Sequence, residues 1–116
     1  MEIENKVIVV TGGSGGIGQA LAGSFIYENA KVVILLDVSF DNFKPNSDKL
    51  ISKICDVTNE KELALIIDEI NLKFGLIDIF CSNAGIFSLG NEQTSIEDWN
   101  KNWDLHVMSH VFAAKK

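Results

Sequence analysis

None of the ten basic residues in this chain is arginine, and the formal charge is −6. A surface that tracks nucleic-acid phosphates needs dense positive charge and, for bidentate contacts, arginine, so a nucleic-acid role is excluded as an expectation. Long hydrophobic runs are also missing: no stretch approaches the roughly 18 apolar residues of a spanning helix. The N-terminus Met1-Glu2-Ile3-Glu4-Asn5-Lys6 is polar and unlike a signal peptide. No membrane partner and a cytoplasmic location are therefore expected. Cysteine occurs only at Cys55 and Cys81, too sparse for a disulfide framework or a zinc ribbon, and both read as small buried hydrophobes. The only tyrosine is Tyr27. His106 and His110 have the i, i+4 spacing of a metal pair, but no Glu follows His106 as in H-E-x-x-H and no third ligand is evident, so no metal is expected.

Glycine is concentrated instead. Five of the nine lie in Thr11-Gly12-Gly13-Ser14-Gly15-Gly16-Ile17-Gly18, directly after the apolar run Val7 to Val10 and ahead of a helix-like segment. A strand that delivers a glycine loop to a helix N-terminus presents unpaired N–H groups and a partial positive charge where a pyrophosphate can sit. Gly12 is suited to the tight turn out of the strand, Gly15 or Gly16 to close approach of the diphosphate, and Gly18 to close helix packing. The spacing fits G-x-G-x-x-G at Gly13, Gly15 and Gly18, and equally G-x-x-x-G-x-G at Gly12, Gly16 and Gly18. A second apolar run, Val32 to Leu36, ends at Asp37, 19 residues beyond Gly18. That is close to the spacing of roughly 20 at which a carboxylate meets an adenosine ribose.

The remaining pattern alternates strands and helices around one core. Ile17, Leu21 and Phe25 mark a helix to about Glu28, with Asn29 as its stop. Val38 to Lys49, with Pro45 and several Asn and Ser residues, predicts a loop or a single turn, and a short third strand falls near Ile51 to Cys55. Leu63, Ile66, Ile67, Ile70 and Phe74 predict a helix capped by Thr58 or Asn59 and ended by Gly75, followed by a strand over Ile77 to Cys81. This order predicts a parallel α/β sheet with strand order 3-2-1-4. From a Thr94 or Ser95 cap to Lys116 the chain reads as one helix with two apolar stripes. Ile96, Trp99, Trp103, Val107 and Val111 form the first, and Leu105, Met108 and Phe112 form a second that awaits another partner.

Asn83-Ala84-Gly85 after Cys81-Ser82, together with Thr11 to Gly18, Asp56-Val57 and the helix near Trp99, resembles the short-chain dehydrogenase/reductase family over the whole chain. The resemblance implies a Rossmann-type three-layer fold and hydride transfer between NAD(H) or NADP(H) and an alcohol or carbonyl substrate. It implies that Gly12, Ser14, Gly15, Gly16, Ile17 and Gly18 hold the pyrophosphate side, that Asp37 meets the adenosine ribose and that Asp56 and Val57 meet the adenine. Asn83, Ala84 and Gly85 would line the cleft beside the nicotinamide ribose. An acid at Asp37 repels a 2′-phosphate and no arginine is present to bind one, so NAD is favoured over NADP; in many relatives the acid stands one position earlier, at Leu36 here. Lys44 is expected to be solvated.

The family's catalytic serine and its Tyr-x-x-x-Lys pair normally lie after a fifth strand, beyond residue 116. Tyr27 and Lys31 match the spacing but fall at a helix end and a strand start, so they are rejected. His106 occupies the family's asparagine position and is the one candidate catalytic residue. Residues 1–116 are thus expected to form a truncated NAD(P)-binding domain, inactive alone, with a dinucleotide as its ligand. The alternatives are a free-standing nucleotide-binding or regulatory module and one half of a complemented enzyme. A homo-oligomer or a complementing chain would use the last helix and the open edge of the fourth strand.

Overall fold

A computed structural model describes residues 2–40, 47–83 and 96–114, apart from the side chains of Asp98, Trp99, Lys101, Asn102, Leu105 and His106. Four strands, β1 (Val7–Thr11), β2 (Val32–Asp37), β3 (Leu50–Ile54) and β4 (Ile79–Cys81), form one parallel sheet in the order β3-β2-β1-β4. The register runs from Val7 opposite Val32 to Thr11 opposite Leu36, and from Ile8 opposite Ile79 to Val10 opposite Cys81. The two interior strands are unbroken Val, Ile and Leu runs because helices cover both their faces. The edge strands are shorter on apolar residues and only partly buried.

The pleat sorts the core into two layers. Ile8, Val10, Val33 and Leu35 face helix α1 (Gly16–Tyr27), which contributes Ala22 with Leu21, Phe25 and Ile26. Val7, Val9, Ile34 and Leu36 face helix α2 (Glu60–Phe74), which contributes Leu63, Ile67 and Ile70. Burying each such aliphatic side chain stabilises the fold by about 1.5–3 kcal/mol relative to exposure.

Local chemistry ends the elements. Asn29 adopts the left-handed conformation (φ 66°) after α1, and its carbonyl accepts from the N–H of Asn5, itself left-handed at φ 63°. Asn59 caps α2 by accepting from the Glu62 N–H at 3.1 Å, while Thr58 is held by Asp56. Gly75 (φ 95°) ends α2, and the Lys31 ammonium donates to the Phe74 carbonyl at that helix's negative end.

Three boundaries differ from those the sequence predicts. β3 lies one residue earlier than expected. β4 begins at Ile79 rather than Ile77, because Asp78 uses its side chain in the ladder: the Val7 N–H donates to Asp78 Oδ2 and the Asp78 N–H to the Val7 carbonyl, both at 2.8 Å. The final helix is α3 (Ile96–Trp103), a π-helical turn (Asp104–Met108) and α4 (Ser109–Ala114). Among the described side chains of its two stripes, the expected sides differ at Phe112; Trp99 and Leu105 lie outside the described side chains. Phe112 and Ala113 pack on the α2-side core, whereas Ile96, Trp103, Val107 and Val111 are exposed. Each residue inserted by the π turn rotates the later part of the helix by about 100°, which carries Phe112 toward the sheet.

Candidate functional site

The C-terminal ends of the four strands share one edge of the sheet. From β1 the chain crosses to β2 and β3 on one side and reaches β4 on the other, so the strand order reverses beside β1. Open α/β sheets bind ligands in the crevice at such a point. The loop of residues 12–15 leaves β1 there.

Glycines of both registers are constrained in the structure. Gly12 turns the chain with φ 67°. A Cβ on Gly18 would strike the Gly12 carbonyl oxygen and stand 2.9 Å from Gly13 Cα, so α1 packs on the loop only with glycine there. A Cβ on Gly16 would meet nothing within 4 Å, and one on Gly15 only the Gly12 oxygen at 3.6 Å. The open face at Gly16 with the constraints at Gly12 and Gly18 suits G-x-x-x-G-x-G, and the open Gly15 with the crowding at Gly13 and Gly18 suits G-x-G-x-x-G. Gly13 has its own role: its N–H donates to the Leu36 carbonyl at 3.1 Å, and a Cβ would stand 2.5 Å from Leu35 Cβ. Gln19 braces the loop by donating to the Ser14 carbonyl at 2.7 Å. Ile17, in the first turn of α1, is exposed.

Asp37 closes the other side of the loop. Its Oδ2 accepts from the Ser14 hydroxyl at 2.6 Å and the Ser14 N–H at 3.1 Å, and its Oδ1 accepts from the Val38 N–H at 2.7 Å. Leu36 is fully buried on the α2 side. The pleat of β2 therefore turns position 37, not 36, toward the glycine loop.

At the end of β3, the Cys55 N–H donates to the Asp37 carbonyl at 2.8 Å, which sets Asp56 and Val57 next to the acid. Asp56 is exposed, and its Oδ1 accepts from the Thr58 N–H and hydroxyl at 3.0 and 2.6 Å. Val57 is buried in the α2-side core, so only its backbone can face a ligand.

At the end of β4, Asn83 donates its N–H to Thr11 Oγ1 at 2.9 Å and its side-chain amide to the Thr11 carbonyl at 3.1 Å. Thr11 Oγ1 also lies 3.4 Å from the Cys81 carbonyl, to which it donates. This buried threonine joins β1 to the exit of β4, a role that sequence reasoning missed; the only signal was a polar residue closing an apolar strand. Also missed was the hydrogen bond between Ser82 Oγ and His110 Nδ1. Ala84, Gly85 and Lys44 lie outside the described residues. So does the side chain of His106, whose backbone is in the π turn.

The structure thus gathers the loop, Asp37, Asp56 and Asn83 at one edge and leaves the Tyr27 and Lys31 pair away from it. Tyr27 is the last residue of α1, exposed at the opposite end of the strands, and the left-handed Asn29 separates it from Lys31. Burial, then the charges of Glu62 and Asp56, pushes the Cys55 thiol up to about 11; burial also raises the half-buried Cys81. Both thiols are held in the protonated form, which is the inert one. Among the described residues no three His, Cys, Asp or Glu side chains form a metal cluster, and no helix is long and apolar enough to cross a membrane.

Known proteins with the same sequence pattern carry this architecture. Meso-2,3-butanediol dehydrogenase of Serratia marcescens is 31% identical over 125 residues, covering 99% of this chain and 48% of that protein. A probable NADP-dependent mannitol dehydrogenase of Yarrowia lipolytica is 35% identical, covering 97% and 44%. The crystal structure of a short-chain dehydrogenase from Leptospira borgpetersenii with bound NAD+ superimposes with a TM-score of 0.89 at 27% identity, covering 98% of this chain and 45% of that one. The chain spans about half the length of the curated relatives it matches. The family model for short chain dehydrogenases matches residues 6–116, and with the Rossmann-type sheet described above it makes this chain a member of the short-chain dehydrogenase family.

Proposed function

We propose that residues 1–116 are the NAD(P)-binding part of an oxidoreductase acting on an alcohol or carbonyl substrate, with NAD preferred. The observation that carries this reading is the glycine loop at the sheet's reversal point, open at Gly16 and fastened to the acid Asp37. The residues fit a dinucleotide: the N–H groups of Gly16 and Ile17 would meet the pyrophosphate, while the Gly15 N–H is held by the Gly12 carbonyl at 3.3 Å, and Asp37 would accept from the adenosine ribose. Asp56 and the Val57 backbone would border the adenine, and Asn83, Ala84 and Gly85 the second ribose. When bound, the nicotinamide supplies or takes the hydride.

This chain's residues bind and orient. Asp37 carries a negative charge where a 2′-phosphate would stand, and no arginine is available to offset it. His106, at the family's asparagine position, is the one residue of this chain assigned to the catalytic set. The single tyrosine, Tyr27, lies at the far end of the sheet, so the proton donor for a carbonyl is assigned to residues outside these 116, and the 116 residues alone should bind without turnover. The exposed stripe Ile96, Trp103, Val107 and Val111 is the surface expected to meet a second subunit or a complementing chain. Two free thiols suit a reducing compartment, and we place the protein in the cytoplasm.

Calorimetric titration of NAD+ and NADP+ tests the proposal. Saturable binding is expected, tighter for NAD+ by about tenfold, a difference of about 1.4 kcal/mol. Asp37→Ala should narrow that ratio. Absence of saturable binding to either dinucleotide would overturn the reading, and tighter NADP+ binding would overturn the cofactor preference.

A further inference from the structure

We propose that Ser82 and His110 form a positioning pair that sets the crevice wall on the side away from Asp37. The inference rests on the dinucleotide reading above and concerns only the half of the ligand that lies toward β4.

The pleat of β4 alternates Ile79 and Cys81 toward α1 with Phe80 toward α2, so the next residue, Ser82, returns to the α2 side, where α4 packs. There its hydroxyl meets Nδ1 of His110. Asn83 departs the other way and binds Thr11 at the end of β1. Two consecutive residues thus fasten the exit of β4 to two different elements, a helix and the central strand.

α4 has six residues and continues from a π turn, the Ser109 N–H donating to the Asp104 carbonyl, so the helical ladder changes its hydrogen-bond register just before His110. Phe112 and Ala113 hold one face of it against the core, with Ser109 buried in the same helix; apolar burial is non-directional, so a directional bond on the β4 side adds a constraint along the helix axis that these apolar contacts do not supply. A hydrogen bond at His110 is directional and fixes that position. His106 lies in the π turn immediately before, so the pair sets where this turn stands relative to the β4 exit. With the adenosine ribose at Asp37 and the pyrophosphate at the glycine loop, the second nucleoside extends toward this wall.

Affinities for NAD+ and for ADP, which lacks the second nucleoside, separate this role from a general stabilising one. Ser82→Ala and His110→Leu should each weaken NAD+ binding about fivefold, the effect of one neutral hydrogen bond, and leave ADP unchanged. The double variant should lose no more than either single one. Ser82→Thr and His110→Asn, which keep a hydroxyl and a polar group at the Nδ1 reach, should restore NAD+ affinity. If the first pair of variants folds poorly, His110→Gln, whose amide reaches the Nε2 position instead, is read by the same ratio. Equal loss for NAD+ and ADP, or no loss, would overturn the positioning role while leaving the dinucleotide site intact. A native protein that binds neither ligand would remove the site and this inference together.

Discussion

The hydroxyl of Ser14 donates to Asp37 Oδ2 across 2.6 Å, and the backbone N–H of Ser14 reaches the same oxygen at 3.1 Å. The glycine loop is thereby fastened to the end of β2 before any ligand arrives. Hydrogen bonds to charged groups contribute about 1.5–3 kcal/mol when shielded, and this one is partly solvated. Ser14→Ala should weaken NAD+ binding about fivefold, with a smaller effect on melting temperature; Asp37→Asn should weaken NAD+ more than NADP+. Titration of both dinucleotides against each variant checks this, and an unchanged Ser14→Ala affinity would show the fastening to be incidental.

Gly16 and Gly18, on the same turn of α1, should respond to alanine in opposite ways. Gly18→Ala forces a methyl into the Gly12 carbonyl and toward Gly13 Cα at 2.9 Å, overpacking that costs about 1–3 kcal/mol of stability. Gly16→Ala meets nothing within 4 Å, so the fold should be retained while pyrophosphate approach is blocked. Chemical denaturation paired with NAD+ titration distinguishes them.

Thr11→Val removes a buried hydroxyl that accepts from the Asn83 N–H and donates to the Cys81 carbonyl. Leaving a fully buried N–H unpaired costs about 1–3 kcal/mol, and this one, partly buried, falls toward the lower end. The variant should unfold at lower denaturant concentration, and Thr11→Ser should recover most of the difference.

The Cys55 thiol is raised from an ordinary 9.0 to about 11 in the folded state. The folded chain then keeps its proton where the unfolded chain has lost it. This contribution to stability is complete below about pH 9 and is lost as pH rises through about 11. Cys55→Ala should flatten that decline in an unfolding series from pH 8 to pH 11. Native Cys55 should also resist alkylation at pH 8 and react on unfolding; rapid native labelling at this position would contradict its buried setting.

Much of this architecture is legible locally. The Val, Ile and Leu runs of β1 and β2, the Asn59 cap and the Gly75 stop are each determined by neighbours in sequence, and the alternation of elements in turn dictates the strand order. The division of labour among the glycines was not legible, because spacing alone cannot say which Cα a carbonyl or a helix will crowd. The π turn escaped because both apolar stripes satisfy a straight helix, and only packing against the sheet decides which is rotated inward. Contacts between distant segments, Ser82 with His110 and Asn83 with Thr11, have no local signature at all.

The paired left-handed turns at Asn5 and Asn29 lie where the strands begin, and the glycine loop lies where they end. A five-residue strand places about 17 Å between the two edges. That separation makes the Asn29 turn a handle: a fluorophore, a surface tether or an inserted peptide attached at the exposed Glu28 or Asn29 would ride on the rigid sheet without entering the crevice, and would let ligand occupancy be read from a fixed reference point on the same molecule.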